Sequence, residues 1–358
     1  MKDSLIEKAA IKYGKDLLKI DALNEGLIHK TYKVVYKESP PILLQCINKN
    51  IFSEPENIIE NYCLVEQHLL QNQEPLKIPK LLPCNNGLLF LVDEENNFWR
   101  AFEFIKDSYS VSNIETAGMV FSAANCFARF TKSLAGLDVK QLNIIIPHFH
   151  DLSLRFKQFE DAVSTASTER LQIAEELIHK LKERKTLIDF YEGLDDESYP
   201  LRIMHHDCKI NNILFSSITN EIICPVDLDT IMPGKFFSDL GDMIRTMACS
   251  VDENNTEWEM INVKENYYKN ILEGYLEGVG NTLTAQEIKH IHFPGLLMTY
   301  MQALRFLADY LNNDVYYQTS YKKQNLDRAK NQLIFLEKLE LFLHEEYNVR
   351  PYFSSFEK

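Results

Sequence analysis

The pattern of hydrophobic and polar residues changes about a third of the way along the chain. Before that point, short runs of Val, Ile, Leu and Tyr are separated by turn residues, which is typical of β-strands. We predict strands at 17–23, 32–36, 42–47, 88–92 and 99–105. A helix is predicted between Pro55 and Leu70, where apolar residues recur along one face. The first third of the chain is therefore expected to be rich in strands.

From about residue 113 the apolar residues recur with the longer period of a helix. We predict helical segments at 117–134, 153–191, 257–279, 284–311 and 325–346. Thr284 and Glu287 stand at the spacing of a capping box. The exception is 201–229, where short apolar runs bracket a dense polar cluster. This order predicts an α+β protein of two lobes, residues 1–104 and 105–358.

The length of the chain bears on its number of lobes, and its net charge bears on the partners it can bind. A chain of 358 residues exceeds what one hydrophobic core usually spans, which agrees with two lobes. Its 38 basic and 52 acidic residues give a formal charge of -14. Nucleic-acid binding needs clustered Lys and Arg, so this charge argues against a nucleic-acid partner. No apolar run approaches the ~20 residues of a membrane span, so we expect no membrane partner.

The cysteine pattern indicates a reducing compartment. The seven cysteines are odd in number and scattered, with no CxxC pair. In a chain of this length, such a pattern is typical of reduced thiols. The first residues are charged and lack the apolar core of a signal peptide. We therefore expect a cytoplasmic protein.

The polar cluster contains the spacing H-x-D-x-K-x-x-N, formed by His205, Asp207, Lys209 and Asn212. Phosphoryl transfer to an alcohol needs a carboxylate that orients or accepts the hydroxyl proton, and an oxygen ligand for magnesium. Asp207 and Asn212 stand at a spacing suited to these two roles. Lys209 can meet the phosphate that is transferred. The motif therefore suggests a kinase.

A second motif strengthens this interpretation. The segment Asp227-Leu228-Asp229 follows a strand-like stretch at 221–226. A hairpin joining the two motifs would bring Asp227 back beside Asn212. Magnesium prefers one or two carboxylates together with nucleotide phosphates. The two motifs together predict a magnesium-dependent kinase site.

Other chemistry fits the same residues less well. Adjacent His205, His206 and Asp207 cannot easily converge on one zinc ion, and no third nitrogen or sulfur ligand has a suitable spacing. Cys208 should point away from Asp207 in an extended loop, which argues against a cysteine nucleophile. We expect His205 to hold the backbone, whereas His206 either touches a substrate or is exposed.

Further charged residues have structural interpretations. We expect Asp239 and Asp242, with Arg245 behind them, to cap a helix and bind the catalytic loop rather than react. Arg305 lies mid-helix among apolar residues, where an arginine is more often snorkelling or paired.

The central block resembles a known family. HHDCKINNILF, DLDTIMPG and SDLGDMIR are similar to the N-acetylhexosamine 1-kinases, whose first loop usually reads HNDTKINN. That family lies within the aminoglycoside phosphotransferase and choline kinase superfamily. The similarity covers nearly the whole chain, through GLIHKTYKV, LLQCIN, WRAFEFI, IPHFHDLSLRF and ALRFLADYLNNDVYY. It implies a bilobal protein-kinase-like fold, with a small β-rich N-terminal lobe and a larger, mainly helical C-terminal lobe.

The resemblance also implies roles for individual residues. Asp207 is the base, Lys209 neutralises developing charge, Asn212 and Asp227 are magnesium ligands, and Asp229 lies beside the metal or the sugar. The residues expected at the nucleotide are Gln45 and a hinge made of Phe102, Glu103, Phe104 and Ile105. The residues expected at the acceptor, besides Asp207, are His206, Arg305 and Tyr316.

The chain departs from the family in the part that binds the nucleotide. His29 and Lys30 stand where the family commonly has Asn-Asp, and Leu27 replaces a polar residue. The phosphate-binding cation of the third strand is absent, because Gln45 or Cys46 occupies its position. Substitutes for it are available in Lys30, Lys33 or Lys49.

We therefore expect an ATP- and magnesium-dependent kinase that phosphorylates the anomeric hydroxyl of an N-acetylhexosamine. Its partners are the sugar and the nucleotide. One fold serves many acceptors, so choline, an aminoglycoside or another sugar remains an alternative. The absent strand-three cation raises a second alternative, a nucleotide-binding pseudokinase or scaffold. The sequence leaves the oligomeric state and the nucleotide preference open.

Overall fold

The computed structural model describes residues 2–23 and 28–349. Its strands are β1 (Leu17–Leu23), β2 (Lys30–Tyr36), β3 (Ile42–Ile47), β4 (Leu81–Leu82), β5 (Phe90–Val92), β6 (Phe98–Glu103), β7 (Ser108–Tyr109), β8 (Arg202–Met204), β9 (Ile213–Ser216), β10 (Ile222–Pro225) and β11 (Met232–Gly234). Its helices are α1 (Lys2–Ala10), α2 (Pro55–Gln71), α3 (Ala117–Ser133), α4 (Leu152–Thr165), α5 (Thr168–Glu183), α6 (Thr186–Glu192), α7 (Phe237–Met247), α8 (Glu265–Val279), α9 (Ala285–Lys289), α10 (Phe293–Leu311) and α11 (Gln324–Tyr347). Strands precede most helices, so the predicted α+β organisation is confirmed.

The chain divides into two compact units that interleave along the sequence. The first comprises Met1–Ser110, Ser133–Pro147 and Asn212–Met232. The second comprises Val111–Lys132, His148–Asn211 and Pro233–Lys358. The lobe boundary predicted between residues 104 and 105 stays a prediction.

An antiparallel sheet forms the centre of the first unit. Its strands lie in the order β1-β2-β3-β6-β4, and β5 also pairs with β6. β3 and β6 are in register so that Gln45 lies opposite Arg100. Val34, Leu44 and Ala101 are completely buried at the core of this sheet, which makes β3 and β6 a rigid base for the side chains they carry.

A smaller sheet, β10-β9-β7, carries the polar motifs of the first unit. β9 and β10 form an antiparallel hairpin in which Pro225 lies opposite Ile213. A short 3₁₀ turn at Leu228–Thr230 follows β10. The ends of this hairpin therefore hold the two segments in which metal ligands are expected.

In the second unit, α10 is the helix around which the others pack. It contacts α4, α7 and α11, and nearly all of its side chains are buried. α7 approaches it so closely that a Cβ atom on Gly241 would lie 2.5 Å from the carbonyl oxygen of Pro294. Glycine is therefore required at position 241, and the close packing fixes the position of α7.

A buried ion pair ties the end of α5 to α11. Arg184 donates from Nε and from one terminal nitrogen to the two carboxylate oxygens of Glu340, both at 2.9 Å. Such bidentate geometry is the strongest form of an arginine–carboxylate contact. The second unit thus contains a buried ion pair between α5 and α11, two helices that carry no predicted site residue.

The elements agree with the predicted ones in order and type, but several bounds differ. The segment predicted as helical at 284–311 is two helices, α9 and α10, and the helix predicted at 257–279 begins at Glu265. β1 and β3 have the predicted bounds, and the capping box of Thr284 and Glu287 is confirmed. The segment predicted as helical at 153–191 is three helices, because Ser167 adopts an extended conformation and caps α5 by accepting from the Arg170 amide. β6 ends at Glu103, two residues earlier than predicted. Among the described residues, no helix is both long enough and apolar enough to cross a bilayer.

Gly241→Ala is expected to lower stability by about 1–3 kcal/mol, because the new methyl group overlaps the Pro294 carbonyl oxygen. In an exposed helix the same change is stabilising by up to about 1 kcal/mol. Gly118 in α3 supplies that control, since its nearest neighbour would be 3.9 Å from the new Cβ. Thermal melting followed by circular dichroism tests both. An unchanged melting temperature for Gly241→Ala would contradict the packing argument.

Candidate active site

The predicted catalytic loop, which carries His205, His206 and Asp207 in the second unit, is held through its backbone amides. Asp239 on α7 accepts hydrogen bonds from the amides of His205 and His206, at 3.0 and 2.8 Å. His205 is fully buried beside the ring of Phe127, and its Nδ1 accepts from the Asp207 amide at 3.3 Å. The expectations that Asp239 binds this loop and that His205 holds backbone are confirmed. The loop is thus fixed before any substrate binds.

The expectation that these aspartates cap the helix is wrong. α7 begins after Phe236 without a side-chain cap. Asp242 instead accepts from the buried guanidinium of Arg245, at 3.0 and 3.2 Å, and Arg245 also donates to Glu253 at 2.8 Å. Burial raises the pKa of Asp242, although the Arg245 charge opposes this. These charged groups support the loop from within the protein.

Asp207 and Lys209 form a charged pair in the second unit. The Lys209 Nζ atom lies 2.7 Å from a carboxylate oxygen of Asp207, and both side chains are partly exposed. The Asp207 charge raises the pKa of Lys209, so the ammonium stays protonated. A partly exposed carboxylate can accept a hydroxyl proton, and the neighbouring cation can stabilise charge on a phosphoryl group.

Cys208 points into the protein, as the sequence predicts. Its side chain is fully buried, and burial raises the pKa of its thiol well above the ordinary value. A buried, protonated thiol is a poor nucleophile. The expectation that Cys208 is not the nucleophile agrees with this burial, and catalysis by Asp207 and Lys209 stays a prediction.

His206 adopts a left-handed backbone conformation, with φ of 66°, and it is buried rather than exposed. Its ring packs on Gly234, where a Cβ atom would lie 2.4 Å from the imidazole. Its Nδ1 lies 3.3 Å from Nδ1 of His150, which stacks on Phe149 with ring centroids 4.4 Å apart. The exposed alternative is therefore wrong, and the substrate contact stays a prediction.

Arg305 lies beside aromatic rings of the second unit. We call the group of His150, His206, Phe149, Tyr316 and Tyr317 the aromatic cluster. The Arg305 guanidinium lies 5.7 Å from the Phe149 ring, 5.9 Å from Tyr316 and 5.6 Å from Tyr317. Its one hydrogen-bond partner among the described residues is Gln302, at 3.1 Å. The structure thus brings together His206, Arg305 and Tyr316, which the sequence assigned to the acceptor. It adds His150 and Tyr317, which sequence reasoning missed because nothing in their spacing marks them.

The turn that carries the two tyrosines is held by one carboxylate. Asp309 on α10 accepts from the amide of Tyr316 at 2.8 Å and from the amide of Tyr317 at 2.9 Å. Asn325 also donates to it at 2.9 Å. Asp309 therefore positions the tyrosines as Asp239 positions the catalytic loop.

The first unit brings Asn212 and Asp227 together. The Val226 amide donates to the Asn212 carbonyl oxygen at 2.9 Å, so the residue before Asp227 lies beside Asn212, as the predicted hairpin requires. Asp227 has a left-handed backbone, with φ of 61°, and its side chain is exposed. Carboxylate and amide oxygens are the ligands that Mg²⁺ prefers, so these residues fit such an ion. Their role as ligands stays a prediction.

Asp229 is buried among positive and hydrogen-bonding partners. The Arg100 guanidinium contacts both of its oxygens, at 2.6 and 2.7 Å, and His29 Nε2 lies 2.6 Å from one of them. Burial opposes ionisation, but Arg100 and His29 hold the pKa of Asp229 well below its usual range. Ligand atoms of His29, Asp227 and Asp229 lie within 4.8 Å of one another. Metal binding by Asp229 stays a prediction.

The hydrogen bonds of His29 define its tautomer. The Asn48 amide donates to His29 Nδ1 at 3.0 Å, so Nδ1 carries no proton. Nε2 must then carry the proton that it donates to Asp229. In this arrangement His29 is a neutral donor to a carboxylate and offers no lone pair to a metal.

The candidate nucleotide residues lie at the end of β6 and on β3. Phe102 packs against Tyr62, with ring centroids 5.1 Å apart. The backbone of Glu103 pairs with Lys80, and the Phe104 amide donates to Pro41 at 3.4 Å. The Ile105 carbonyl oxygen accepts from Ser108 at 2.6 Å. Adenine recognition by this hinge stays a prediction, and Leu27 lies outside the described residues.

Gln45 of β3 contacts Arg100, which sequence reasoning missed. The Gln45 Oε1 atom accepts from Arg100 Nε at 3.0 Å and from a terminal nitrogen at 2.9 Å. Of the lysines suggested as substitutes, Lys33 lies over the Phe104 ring and Lys49 donates to the Asn96 carbonyl. A signal for Arg100 was present, because an arginine within a buried strand needs a carboxylate partner.

Comparisons with known proteins bear on the family and the fold of the chain. The sequence model described as "Phosphotransferase enzyme family" matches residues 22–282. The structure is similar to a microcompartment-associated aminopropanol kinase, with 16% identity, 96% of this chain and 98% of that chain covered, and a TM-score of 0.63. It is also similar to a spectinomycin phosphotransferase in complex with ADP and spectinomycin, with 15% identity, 94% of this chain and 97% of that chain covered, and a TM-score of 0.60. A choline kinase from Cryptosporidium parvum Iowa II is similar as well, with 15% identity, 97% of each chain covered, and a TM-score of 0.56. At these identities the likeness shows the fold, and the predicted kinase-like fold is confirmed.

We expect Asp309→Asn to raise the acceptor KM about tenfold, because it removes a charged acceptor from two amides of the tyrosine turn, and such bonds are worth about 1.5–3 kcal/mol. The KM of the nucleotide should not change. Asp314→Asn is the matched control, since Asp314 lies at the same turn but binds Arg170 and Asn325. Steady-state kinetics with both substrates varied would reveal the difference. Equal effects of the two variants would show that Asp309 acts on stability alone.

Proposed function

Because the chain belongs to the phosphotransferase enzyme family, we propose that it is an ATP- and magnesium-dependent kinase that phosphorylates the anomeric hydroxyl of an N-acetylhexosamine. Family membership establishes a phosphotransferase that acts on hydroxyl groups of small molecules. The sugar, the position of attack and the choice of magnesium are the proposal. Cytoplasmic action, in which ATP and a free sugar are both available, is part of it.

The observation that carries the proposal is the Asp207–Lys209 pair on a fixed loop. Asp207 is partly exposed and lies 2.7 Å from the Lys209 ammonium, while Asp239 holds the loop backbone. Asp207 orients the acceptor hydroxyl and takes its proton, and the hydroxyl oxygen attacks the γ-phosphorus in line. The bond from the γ-phosphorus to the bridging oxygen breaks, and ADP leaves. Lys209 stabilises charge on the transferred group. The phosphoryl group passes directly to the acceptor, with no phospho-enzyme.

The first unit contributes the residues for the metal. Asn212 and Asp227 would hold Mg²⁺, with Asp229 beside them. When bound, the ion would neutralise charge on the β- and γ-phosphates. The exposed carboxylate of Asp227, next to a backbone held by Asn212, supports this assignment. Gln45 and the hinge from Phe102 to Ile105 remain the proposed contacts of the nucleotide.

The charge of the aromatic cluster favours a neutral acceptor over choline or an aminoglycoside. Within the described part of the chain, neither Arg305 nor Arg155 forms an ion pair with a carboxylate. Burial, and then the nearby charge of Arg305, lower the pKa of Arg155, which indicates that the two guanidinium groups repel each other. A cationic acceptor would add to this repulsion. The rings of Tyr316 and Phe149 can instead pack on the face of a sugar, while Arg305 donates to its oxygen atoms.

The two loops should fail in different ways when mutated. We expect Asp207→Asn to lower kcat by ~10²–10⁴-fold, since a positioned general base contributes about that much. Asn212→Ala and Asp227→Ala should instead raise the magnesium concentration needed for half-maximal rate. Rates measured across a magnesium titration, together with melting curves, separate the two effects. A wild-type rate for a folded Asp207→Asn variant would remove Asp207 from the mechanism.

The position of attack can be read from the product. With ATP, magnesium and N-acetylglucosamine or N-acetylgalactosamine, we expect a sugar 1-phosphate whose phosphorus couples to carbon one in the NMR spectrum. A sugar without the anomeric hydroxyl should bind but not react, because Arg305 and Tyr316 would still hold its other groups. Phosphorus coupling to carbon six would refute the 1-kinase proposal. ADP release triggered by choline, and by none of the sugars, would favour the alternative acceptor.

A further inference from the structure

A glutamine stands on β3 where the family resemblance implies a cation. Gln45 cannot supply positive charge, but its side chain forms hydrogen bonds with two other residues. Its Oε1 accepts two hydrogen bonds from Arg100, and its Nε2 donates to Thr31 Oγ1 at 3.2 Å. Gln45 and Arg100 lie directly opposite each other in the register of β3 and β6. A cation, Arg100, therefore lies beside Gln45 on the neighbouring strand.

Arg100 is buried between its own strand, the neighbouring strand β3 and the turn that carries Asp229. It is 1% exposed, and its guanidinium lies 4.9 Å from the Phe102 ring. Gln45 binds it from β3, and both oxygens of Asp229 contact it at 2.6–2.7 Å. A charge this deeply buried persists only when it is paired with good geometry. Asp229 is the carboxylate that meets this requirement.

The same carboxylate fixes the loop that carries Asp227. Asp229 lies inside the 3₁₀ turn Leu228–Thr230, and Asp227 is the residue that begins this turn. With Arg100 on both oxygens and the His29 Nε2 proton on one, the Asp229 side chain is immobilised. Fixing Asp229 fixes the turn, and the left-handed backbone of Asp227 then determines the direction of its exposed carboxylate. Arg100 is thus linked to the proposed metal ligand through one residue.

We propose that Arg100 on β6 is a positioning residue, which acts through Asp229 on the proposed metal ligand Asp227. Gln45 is the complementary half of this arrangement, because it orients the guanidinium instead of competing with it. The inference rests on the proposed function, since it concerns the metal that accompanies the nucleotide. It predicts that the charge must lie beside Asp229, whichever of the two strands supplies it.

Exchanging Gln45 and Arg100 tests whether the positive charge must lie beside Asp229. Because Gln45 and Arg100 are opposite one another, Gln45→Arg with Arg100→Gln returns one guanidinium and one amide to the same place. The measurement is the affinity for Mn²⁺ together with ADP, by calorimetry and by the electron paramagnetic resonance of bound Mn²⁺, without any acceptor. The full chain is used throughout, and melting curves report folding.

We expect Arg100→Gln to weaken Mn²⁺–ADP binding by about 10–100-fold, the usual effect of losing a partner that orients a metal ligand. The acceptor KM should not change. Arg100→Lys should recover part of the affinity, and the exchanged double variant should return to within about threefold of wild type. Gln45→Arg alone places two guanidinium groups at one carboxylate, so it should bind more weakly than the double variant.

Arg184→Gln is the matched control. It breaks another buried bidentate pair, with Glu340, on α5 and α11. We expect it to lower the melting temperature without changing the affinity for Mn²⁺–ADP. If Arg100→Gln does not fold, Arg100→Lys and the double variant still decide the question.

Two results would overturn the inference: wild-type affinity in a folded Arg100→Gln variant, or a folded double variant that binds no better than Arg100→Gln. A wild-type protein that binds no Mn²⁺–ADP would instead refute the proposed function. A wild-type protein that binds it but phosphorylates no sugar would refute the sugar assignment and leave the role of Arg100 standing.

Discussion

The candidate site depends on how buried carboxylates are satisfied. An ionised carboxylate away from water is stable only if charged or hydrogen-bonding groups surround it. Asp229 meets this requirement with Arg100 and His29, Asp239 with two loop amides, and Asp309 with the amides of the tyrosine turn. In each case one buried charge fixes a segment that carries an exposed functional group.

Burial divides the candidate site residues and their supporting residues into two groups. Asp207, Lys209 and Asp227 are partly or fully exposed, whereas Asp229 and Asp239 are buried. Loss of Asp229 would leave the Arg100 charge unpaired inside the protein, and loss of Asp239 would leave two buried loop amides without an acceptor. Electrostatic preorganisation of this kind is commonly the largest part of enzymatic rate enhancement.

The sequence predicted the parts of the site that depend on short-range spacing. Asp207, Lys209 and Asn212 lie within one loop, and the hairpin that returns Asp227 to Asn212 is local. Arg100 escaped prediction because its partners Gln45 and Asp229 are distant in the chain and meet through strand register. The break of the helical segment at Ser167 was missed because the apolar period continues across it, and only the cap reveals the boundary. The aromatic cluster depends on tertiary packing that no local pattern encodes.

The left-handed backbones of His206 and Asp227 limit how these positions can evolve. Asparagine, aspartate, histidine and glycine tolerate this conformation, whereas β-branched residues do so poorly. The loop of the resembling family usually has Asn where this chain has His206, so the exchange stays within the permitted set. A library that randomised both positions would return mostly these four residues before any selection for activity. Backbone geometry therefore limits the side-chain chemistry at these two positions, and other chemistry would have to enter at neighbouring positions.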